Sequence, residues 1–453
     1  MINLTVNDLI NYCDCKLLIG DKNKVIGECY VNSKLKINDG CFFGIKGEKV
    51  DGSLFYKEAF DNGASICVIN KIYDLDLNGY DNKTVLIAKD TLYALQKLAV
   101  YKRSLFNGEV IGITGSIGKT TTRKLIQNVL EKKYGVLSTN GNENSQIGLS
   151  LTILRYKNED IMLLEMGMNE LGQIHNLSMI AKPTISVITN IYDSHIGNLG
   201  SIENILKAKL EILDGMEKGT LLLNNDNDML KDLVINDNNI KLLKYGLNNE
   251  SDIMVKNIKE DIDTTFDIDS IENIRVSGGK SFIYNALPAI LIGKILNIPD
   301  ENIKEGINTF KNEKHRLEMI KLDNNVTIID DCYNASYESV KAALEYISNF
   351  NKRKIAVLAD IKELGKLSRK IHLKIGNEVI KNNIDILITI GKDSKLIGKT
   401  ARKKGFKSKN IKHFCNEKKS RIYIKKLLKQ DDIILIKGSN SMNLINLVNF
   451  LKE

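Results

Sequence analysis

The chain has no tryptophan, only three prolines, and no apolar run of the ~18 residues that a membrane-spanning helix needs. Each absence excludes something. Without a long apolar run, no membrane span is expected. With so few prolines, linkers are not announced by composition, and domain boundaries must come from pattern. The start, MINLTVNDLINYC, has no basic region followed by an apolar core, so no secretory signal is expected. The seven cysteines (Cys13, Cys15, Cys29, Cys41, Cys67, Cys332, Cys415) are scattered. Cys13 and Cys15 form CxC rather than CxxC, and no second Cys or His pair has zinc spacing. The expectation is reduced, buried thiols in a cytoplasmic protein. There is no internal repeat and no low-complexity tract.

What is present is ordinary globular material. At 453 residues the chain has room for about three domains of ~150 residues, and 43% hydrophobic content lets each bury a core. The net charge of +9 favours anionic ligands. The lysines are spread, with loose clusters near RKKGFKSKNIK and NEKKSR, and no RNA-binding signature accompanies them. They are expected to be solvated surface, which leaves no nucleic-acid partner.

Residues 1–102 mix short apolar runs (CFFGIKG, ASICVIN, KTVLIAKD) with turn residues and end in the helix TLYALQKLAVYKRSLF. They predict a small α/β domain. Over 103–313 the pattern becomes strand–loop–helix, with strands at VIGIT, DIMLLEM, TISVITN and GTLLLNN and helical spacing at Leu125, Val129 and Leu130. That alternation predicts a largely parallel sheet with helices on its faces. DIMVKNIKEDIDTTFDIDSIENIRVSGG reads as short antiparallel strands forming a flap, followed by the helix IYNALPAILIGKIL. Over 314–453 a second α/β run has strands VTIIDDC, KIAVLAD, DILITIG and DIILIKG, the helix SYESVKAALEYI and a last helix SMNLINLVNFLK. This predicts a Rossmann-like C-terminal domain. It carries no GxGxxG after its first strand, so a dinucleotide is not indicated.

The strongest chemical signal is EVIGITGSIGKTTTRKLIQNVL, residues 109–130. A strict phosphate loop, GxxxxGK[ST], would need glycine where Ile113 stands. The glycines fall instead at Gly112, Gly115 and Gly118, followed by Lys119, Thr120, Thr121 and Thr122. The physics is retained. Gly115 and Gly118 can take positive φ, so that backbone amides converge on a phosphate. The following helix adds its positive end. Lys119 supplies a point charge and Thr120 a hydroxyl for Mg²⁺. Glu165 ends a buried strand, where ligands bind in such sheets; it reads as a metal ligand or as a structural cap. His195 lies just beyond the next strand, at the same edge, and reads as a metal ligand, or as a surface or satisfied core residue. Lys207 and Lys209 read as solvated helix lysines, and nothing in composition singles out Lys209. Asn142 and Asn144, in TNGNEN, fit turn chemistry as well as ligand contact.

GITGSIGKTTT, GNENSQIGLSLTIL, EMGMNELGQI, ITNIYDSHIGNLGSIENILKAKLEI, DDCYNASYESVKAAL, LADIKELG and IKGSNSMNL occur in the order seen in the Mur ligases. The chain resembles that family over most of its length, most strongly from about Val110 onward. The family shares its shifted glycine spacing with folylpolyglutamate synthetases. EMGMN and DDCYNA resemble the branch that joins D-Ala-D-Ala to a UDP-muramoyl-tripeptide. The resemblance implies three domains: one for the UDP-substrate, a central ATPase, and a third that brings the amine and closes over ATP. It implies an ATP-dependent amide ligase of cytoplasmic peptidoglycan-precursor synthesis, acting through an acyl phosphate. It also implies a monomer with small-molecule partners.

By resemblance ATP contacts Gly115, Ser116, Gly118, Lys119, Thr120, Thr121, Asn285, Arg316 and Asp331. Two Mg²⁺ ions fall to Thr120, Glu165, His195 and a carbamylated Lys209. Lys119, Glu165, His195 and Lys209 carry the catalysis. Ser33, Asn142, Asn144, Tyr333, Asn334, Lys437 and Ser439 face the UDP-substrate or the amine. Three motifs depart from the family pattern. Asn32, Ser33 and Lys34 stand for Asp-Ser-Arg, Ser281 and Phe282 for His-Asn, and Asn440 for Arg. Lys34 keeps the charge but loses the planar fork. These departures leave the ATPase core intact and keep open a diverged amide ligase with another acceptor or amine. A non-catalytic nucleotide-binding partner of a true ligase is a third reading. The joint presence of Gly118, Lys119, Thr120, Glu165, His195 and Lys209 argues against it.

Overall fold

The computed structural model describes residues 3–70, 75–194 and 196–453; His195 lies outside them. The chain builds three mostly parallel sheets flanked by helices, plus one small antiparallel sheet.

The central sheet has seven strands, all parallel. Their order is Ile253–Met254, Ile240–Gly246, Gly219–Asn224, Ile185–Ile188, Glu109–Thr114, Ile161–Glu165 and Val136–Ser138. Strands of such a sheet are buried on both faces, which is why they read as unbroken apolar runs. Ile111, Ile113, Leu163 and Val187 face one side, against Leu125 and Val129 of the helix Lys119–Leu130 and against the helix Ser281–Ile295. Val110, Leu164 and Ile188 face the other, against Leu149 and Ile205. Ala286, Leu287, Ala289, Ile290 and Ile292 are all buried, so the helix Ser281–Ile295 lies largely in the interior, with Ser281, Tyr284 and Asn285 on the one side that borders the cleft.

The N-terminal sheet has five strands in the order Lys16–Ile19, Thr84–Ile87, Ala64–Ile69, Gly40–Phe43 and Cys29–Tyr30. Only its first pairing is antiparallel. The helix Thr91–Ser104 packs on Gln146–Leu154 and ties this unit to the central one. The C-terminal sheet has six strands in the order Glu318–Lys321, Thr327–Asp331, Ile433–Lys437, Lys354–Ala359, Ile386–Ile390 and Ile411–Phe414. Again only the first pairing is antiparallel. In register, Ile113 pairs with Glu165 and Asp331 with Lys437. The chemistry-bearing residues therefore end neighbouring strands at their carboxyl ends.

Three expectations are corrected. The segment read as a flap is a packed layer. Lys256–Glu260, Asp263–Ile268 and Ile271–Ser277 form an antiparallel sheet whose alternate residues Phe266, Ile268, Ile274 and Val276 enter the central core, while Ile253–Met254 joins the parallel sheet. Period-two alternation with one buried face makes this sheet part of the wall. The last helix begins at Ile445, after a 3₁₀ turn at Asn440–Met442 and a left-handed Asn443. No disulfide forms among the described cysteines, but Cys415 is exposed and Cys29 half-buried rather than both being buried. No helix of the described residues is long and apolar enough to cross a membrane.

Candidate active site

The glycine loop is preformed. Gly115 (φ 147°) and Gly118 (φ 83°) occupy backbone conformations that L side chains rarely adopt. A Cβ on Gly115 would fall 1.9 Å from Thr189 Oγ1, and one on Gly118 2.4 Å from Asn285 Oδ1. The neighbouring strand end pins the loop. Ser116 N–H donates to Asn190 O (3.0 Å), Ile117 N–H to Asn190 Oδ1 (2.9 Å), and Thr189 Oγ1 to Ile117 O (2.7 Å). Ser116 Oγ donates to Tyr192 O at 3.1 Å. These bonds consume the amides of Ser116 and Ile117. The helix Lys119–Leu130 has Gly118 as its N-cap and no side chain capping it. The amides of its first turn are thus the ones left for an anion.

Glu165 ends its strand 2% exposed. Its Oε1 accepts from Thr120 Oγ1 (3.3 Å) and Asn144 Nδ2 (3.0 Å), and its Oε2 from Arg123 Nε (3.4 Å). Its own N–H donates to Thr139 Oγ1 at 3.0 Å. Arg123 is completely buried, and its Nη1 donates to Ser138 Oγ at 2.8 Å. Sequence reasoning missed Arg123. The available signal was spacing, since Thr120 and Arg123 are three apart and share a helix face. Thr120 and Glu165 form an all-oxygen donor pair of the kind a hard cation takes, and they fit Mg²⁺. Arg123→Met would strand the Glu165 carboxylate without its cation. It is expected to cost about 3–5 kcal/mol of stability, read as a lower urea midpoint at unchanged slope.

Two lysines converge beneath the loop. Lys119 Nζ donates to Gly115 O at 2.8 Å. Burial lowers its pKa, Glu165 opposes that, and Arg316 adds to it. Lys209, on the helix Ile202–Leu210, is 2% exposed. Burial first, and then the Lys119 charge, holds its ammonium well below the ordinary lysine range. Lys207, two residues earlier, is exposed. Lys209 is therefore not the solvated lysine that composition suggests.

The C-terminal unit faces this loop across a cleft of about 1460 Å³. Arg316 Nη2 donates to Thr120 Oγ1 at 3.2 Å, and its guanidinium stacks 3.9 Å above the Tyr333 ring. Tyr333 OH donates to Asn142 Oδ1 at 2.8 Å. Lys437 Nζ donates to Asp331 Oδ2 (2.6 Å) and to Asn334 O (3.1 Å). Ser439 Oγ accepts from the Lys362 amide at 2.9 Å. Thr122 Oγ1 donates to Asn285 Oδ1 at 3.2 Å, beside Gly118.

Ser116, Gly118, Lys119, Thr120, Thr121, Asn142, Asn144, Glu165, Asn285, Arg316, Asp331, Tyr333, Asn334, Lys437 and Ser439 all line the cleft, as do Ser281, Phe282 and Asn440. Gly115 and Lys209 sit behind its wall. Ser33 is not brought there: it is buried in the N-terminal unit, its hydroxyl bonded to Glu58 and its carbonyl to Asn62. That unit reaches the cleft through Glu48 and Leu92. His195 lies outside the described residues, and its neighbour Ser194 lines the cleft. Thr189, Asn190 and Tyr192, which hold the loop in shape, were missed as well. Nothing in their spacing marked them.

Residues 113–293 match the Mur ligase middle domain, and residues 315–440 match the Mur ligase glutamate ligase domain. The chain is 36% identical over 419 residues to the UDP-N-acetylmuramoyl-tripeptide–D-alanyl-D-alanine ligase of Bacillus subtilis, covering 91% of this chain and 90% of that one. The crystal structure of MurF ligase from Thermotoga maritima in complex with ADP superposes with a TM-score of 0.80 at 26% identity, covering 94% of this chain and 97% of that one. A MurF from Acinetobacter baumannii shares the fold, with a TM-score of 0.89 at 24% identity and coverage of 100% and 99%. With that identity running nearly end to end, and both domains in register with the glycine loop and the Asp331 strand, the chain belongs to the Mur ligase family.

Proposed function

We infer that this chain is an ATP-dependent ligase that joins D-alanyl-D-alanine to UDP-N-acetylmuramoyl-tripeptide, forming ADP and phosphate in cytoplasmic peptidoglycan-precursor synthesis. One observation carries the reading. An uncapped helix end, a buried carboxylate bonded to that helix, and cations from the C-terminal unit meet in one cleft. The relatives named for that reaction, and the one described with ADP, support the same assignment.

The chemistry follows from charge. A carboxylate acylates an amine poorly, so the tripeptide carboxylate attacks the γ-phosphorus and gives an acyl phosphate. The dipeptide amine then adds to that carbonyl, and phosphate leaves. Nucleophile and γ-phosphate are both anionic, so cations must neutralise their approach. Lys119 is bonded to the loop at Gly115 and Arg316 to Thr120, so both bring positive charge to the phosphate-binding turn. Asn285, beside Gly118, is proposed to contact adenine, and Asp331 the ribose hydroxyls. Thr120 and Glu165 would hold Mg²⁺, which when bound neutralises phosphate oxygens. His195 is retained as a ligand for a second ion. Lys209 is proposed to be carbamylated. A buried amine held below its ordinary pKa is nucleophilic towards carbon dioxide, and the carbamate, formed with release of a proton, would place an anion beside Lys119 where a neutral amine stood.

Asn142, Asn144, Tyr333, Asn334, Lys437 and Ser439 are proposed to meet the peptide and the amine. Residues 1–102 would bind the UDP end, 103–313 ATP, and 314–453 the amine, in a monomer. Ser33 enters that scheme only if its bond to Glu58 opens.

Phosphate release by the purified chain is expected to require ATP, UDP-muramoyl-tripeptide and D-Ala-D-Ala together, with at least tenfold less when either substrate is omitted. Equal release without the dipeptide, or with an unrelated amine in its place, would sink this assignment and favour the diverged ligase with other partners.

A further inference from the structure

Asp330 and Asp331 are neighbours on one strand, so their side chains point to opposite faces. Asp331 faces the cleft. Asp330 is wholly buried on the other side, among groups the ligase reading does not use. Its Oδ1 accepts from Cys332 Sγ at 2.8 Å, and its Oδ2 lies 2.7 Å from His315 Nδ1. Cys332 lies two residues on, just past the strand end, and falls on the Asp330 side, bonded to it. His315 reaches the pair from the segment entering the C-terminal unit, in a left-handed conformation (φ 65°). The imidazole nitrogen, a carboxylate oxygen and the sulfur lie within 4.8 Å of one another, the one such trio of His, Cys and acidic ligands among the described residues. Sequence spacing alone could not reveal it, because His315 comes from a separate element.

We propose that His315, Asp330 and Cys332 form a binding site for a thiophilic divalent cation such as Zn²⁺, at the junction of the central and C-terminal units. Imidazole, carboxylate and thiolate are zinc's ordinary ligands, and three of them leave an open fourth position for water. Mg²⁺ and Ca²⁺, which prefer oxygen, are poor competitors here. Tetrahedral bonds of zinc length place ligand atoms about 3.3–3.7 Å apart. The two hydrogen-bonded pairs, at 2.7 and 2.8 Å, therefore have to open by less than about 1 Å, while the widest separations, up to 4.8 Å, have to close by about 1 Å. Charge also closes. Binding expels the Cys332 thiol proton to solvent and takes the neutral His315 tautomer with its proton on Nε2, freeing Nδ1, which leaves one thiolate and one carboxylate against a double positive charge, so the buried core is neutral. The half-exposed His315 ring, 26% accessible, offers the way in. His315 precedes Arg316 and Asp330 precedes Asp331, so the ion would clamp together two segments that carry proposed nucleotide contacts.

The test uses the reduced, chelator-treated full-length chain and Co²⁺ as a spectroscopic probe. One equivalent of Co²⁺ is expected to produce thiolate-to-cobalt charge-transfer absorption, which Zn²⁺ displaces. Cys332→Ser should abolish the band, while Cys415→Ser, at the exposed thiol, should leave it intact. His315→Gln should weaken Zn²⁺ binding by at least about 100-fold, since loss of even an outer-shell partner commonly costs 10–100-fold. Melting curves report whether each variant folds, and the half-exposed His315 serves if Cys332→Ser does not. No band, a band that survives Cys332→Ser, or unchanged Zn²⁺ affinity in His315→Gln would overturn the site. None of these readouts depends on ligase activity.

Discussion

Lys119→Ala is expected to lower ATP-dependent phosphate release by about 10³-fold or more. A surface lysine would not have that effect. Lys119 opens the helix behind the glycine loop, is held against Gly115 O at 2.8 Å, and is buried enough that its pKa falls. A cation desolvated before the substrate arrives acts on phosphate charge with little screening. The fold should tolerate the change, because the desolvated charge is itself unfavourable and, among the described residues, its direct hydrogen bond is to a loop carbonyl. A melting temperature near that of the unaltered chain would separate lost chemistry from lost structure. Turnover within tenfold of the unaltered chain would remove Lys119 from the phosphate site, and the loop assignment with it.

Lys209→Ala is expected to reduce turnover by about 10²–10³-fold, the range seen when one group that stabilises developing charge is removed. Formate or acetate should restore part of it. The argument rests on where Lys209 sits. Lys209 is buried while Lys119 lines the cleft, and both that burial and the Lys119 charge push Lys209 towards its neutral amine. A neutral amine in that place is a poor electrostatic partner for phosphate, but it is ready to become a carbamate. The rescue reagent discriminates the two roles. Small carboxylates replace a carbamate, whereas small amines replace an ammonium. Rescue by methylamine and not by acetate would show that Lys209 works as a cation.

The sequence was legible wherever function follows from local pattern. Parallel strands buried on both faces read as apolar runs, so Glu109–Thr114, Ile161–Glu165 and Thr327–Asp331 were placed to within a residue or two. Glycines with positive φ next to a GKT triplet announced the phosphate loop. The resemblance added Asn285, Arg316 and Asp331, which the structure brings to the cleft. What stayed hidden depended on which neighbour a side chain meets. Arg123 looks like any helix cation until Glu165 closes over it. Lys207 and Lys209 differ only in the face that the Ile202–Leu210 helix turns to the core. Ser33 carries the expected residue type but is bonded to Glu58.

Residue order alone thus determined the succession of strands and helices, the anion-seeking turn and the acidic strand tips, because each depends on periodicity and backbone freedom within a short window. Tertiary structure decided the pairing of Arg123 with Glu165, the burial of Lys209, the packing of the supposed flap and the meeting of His315 with Asp330 and Cys332. Those features are set by desolvation and by distances between segments far apart in the chain, and no local pattern encodes either.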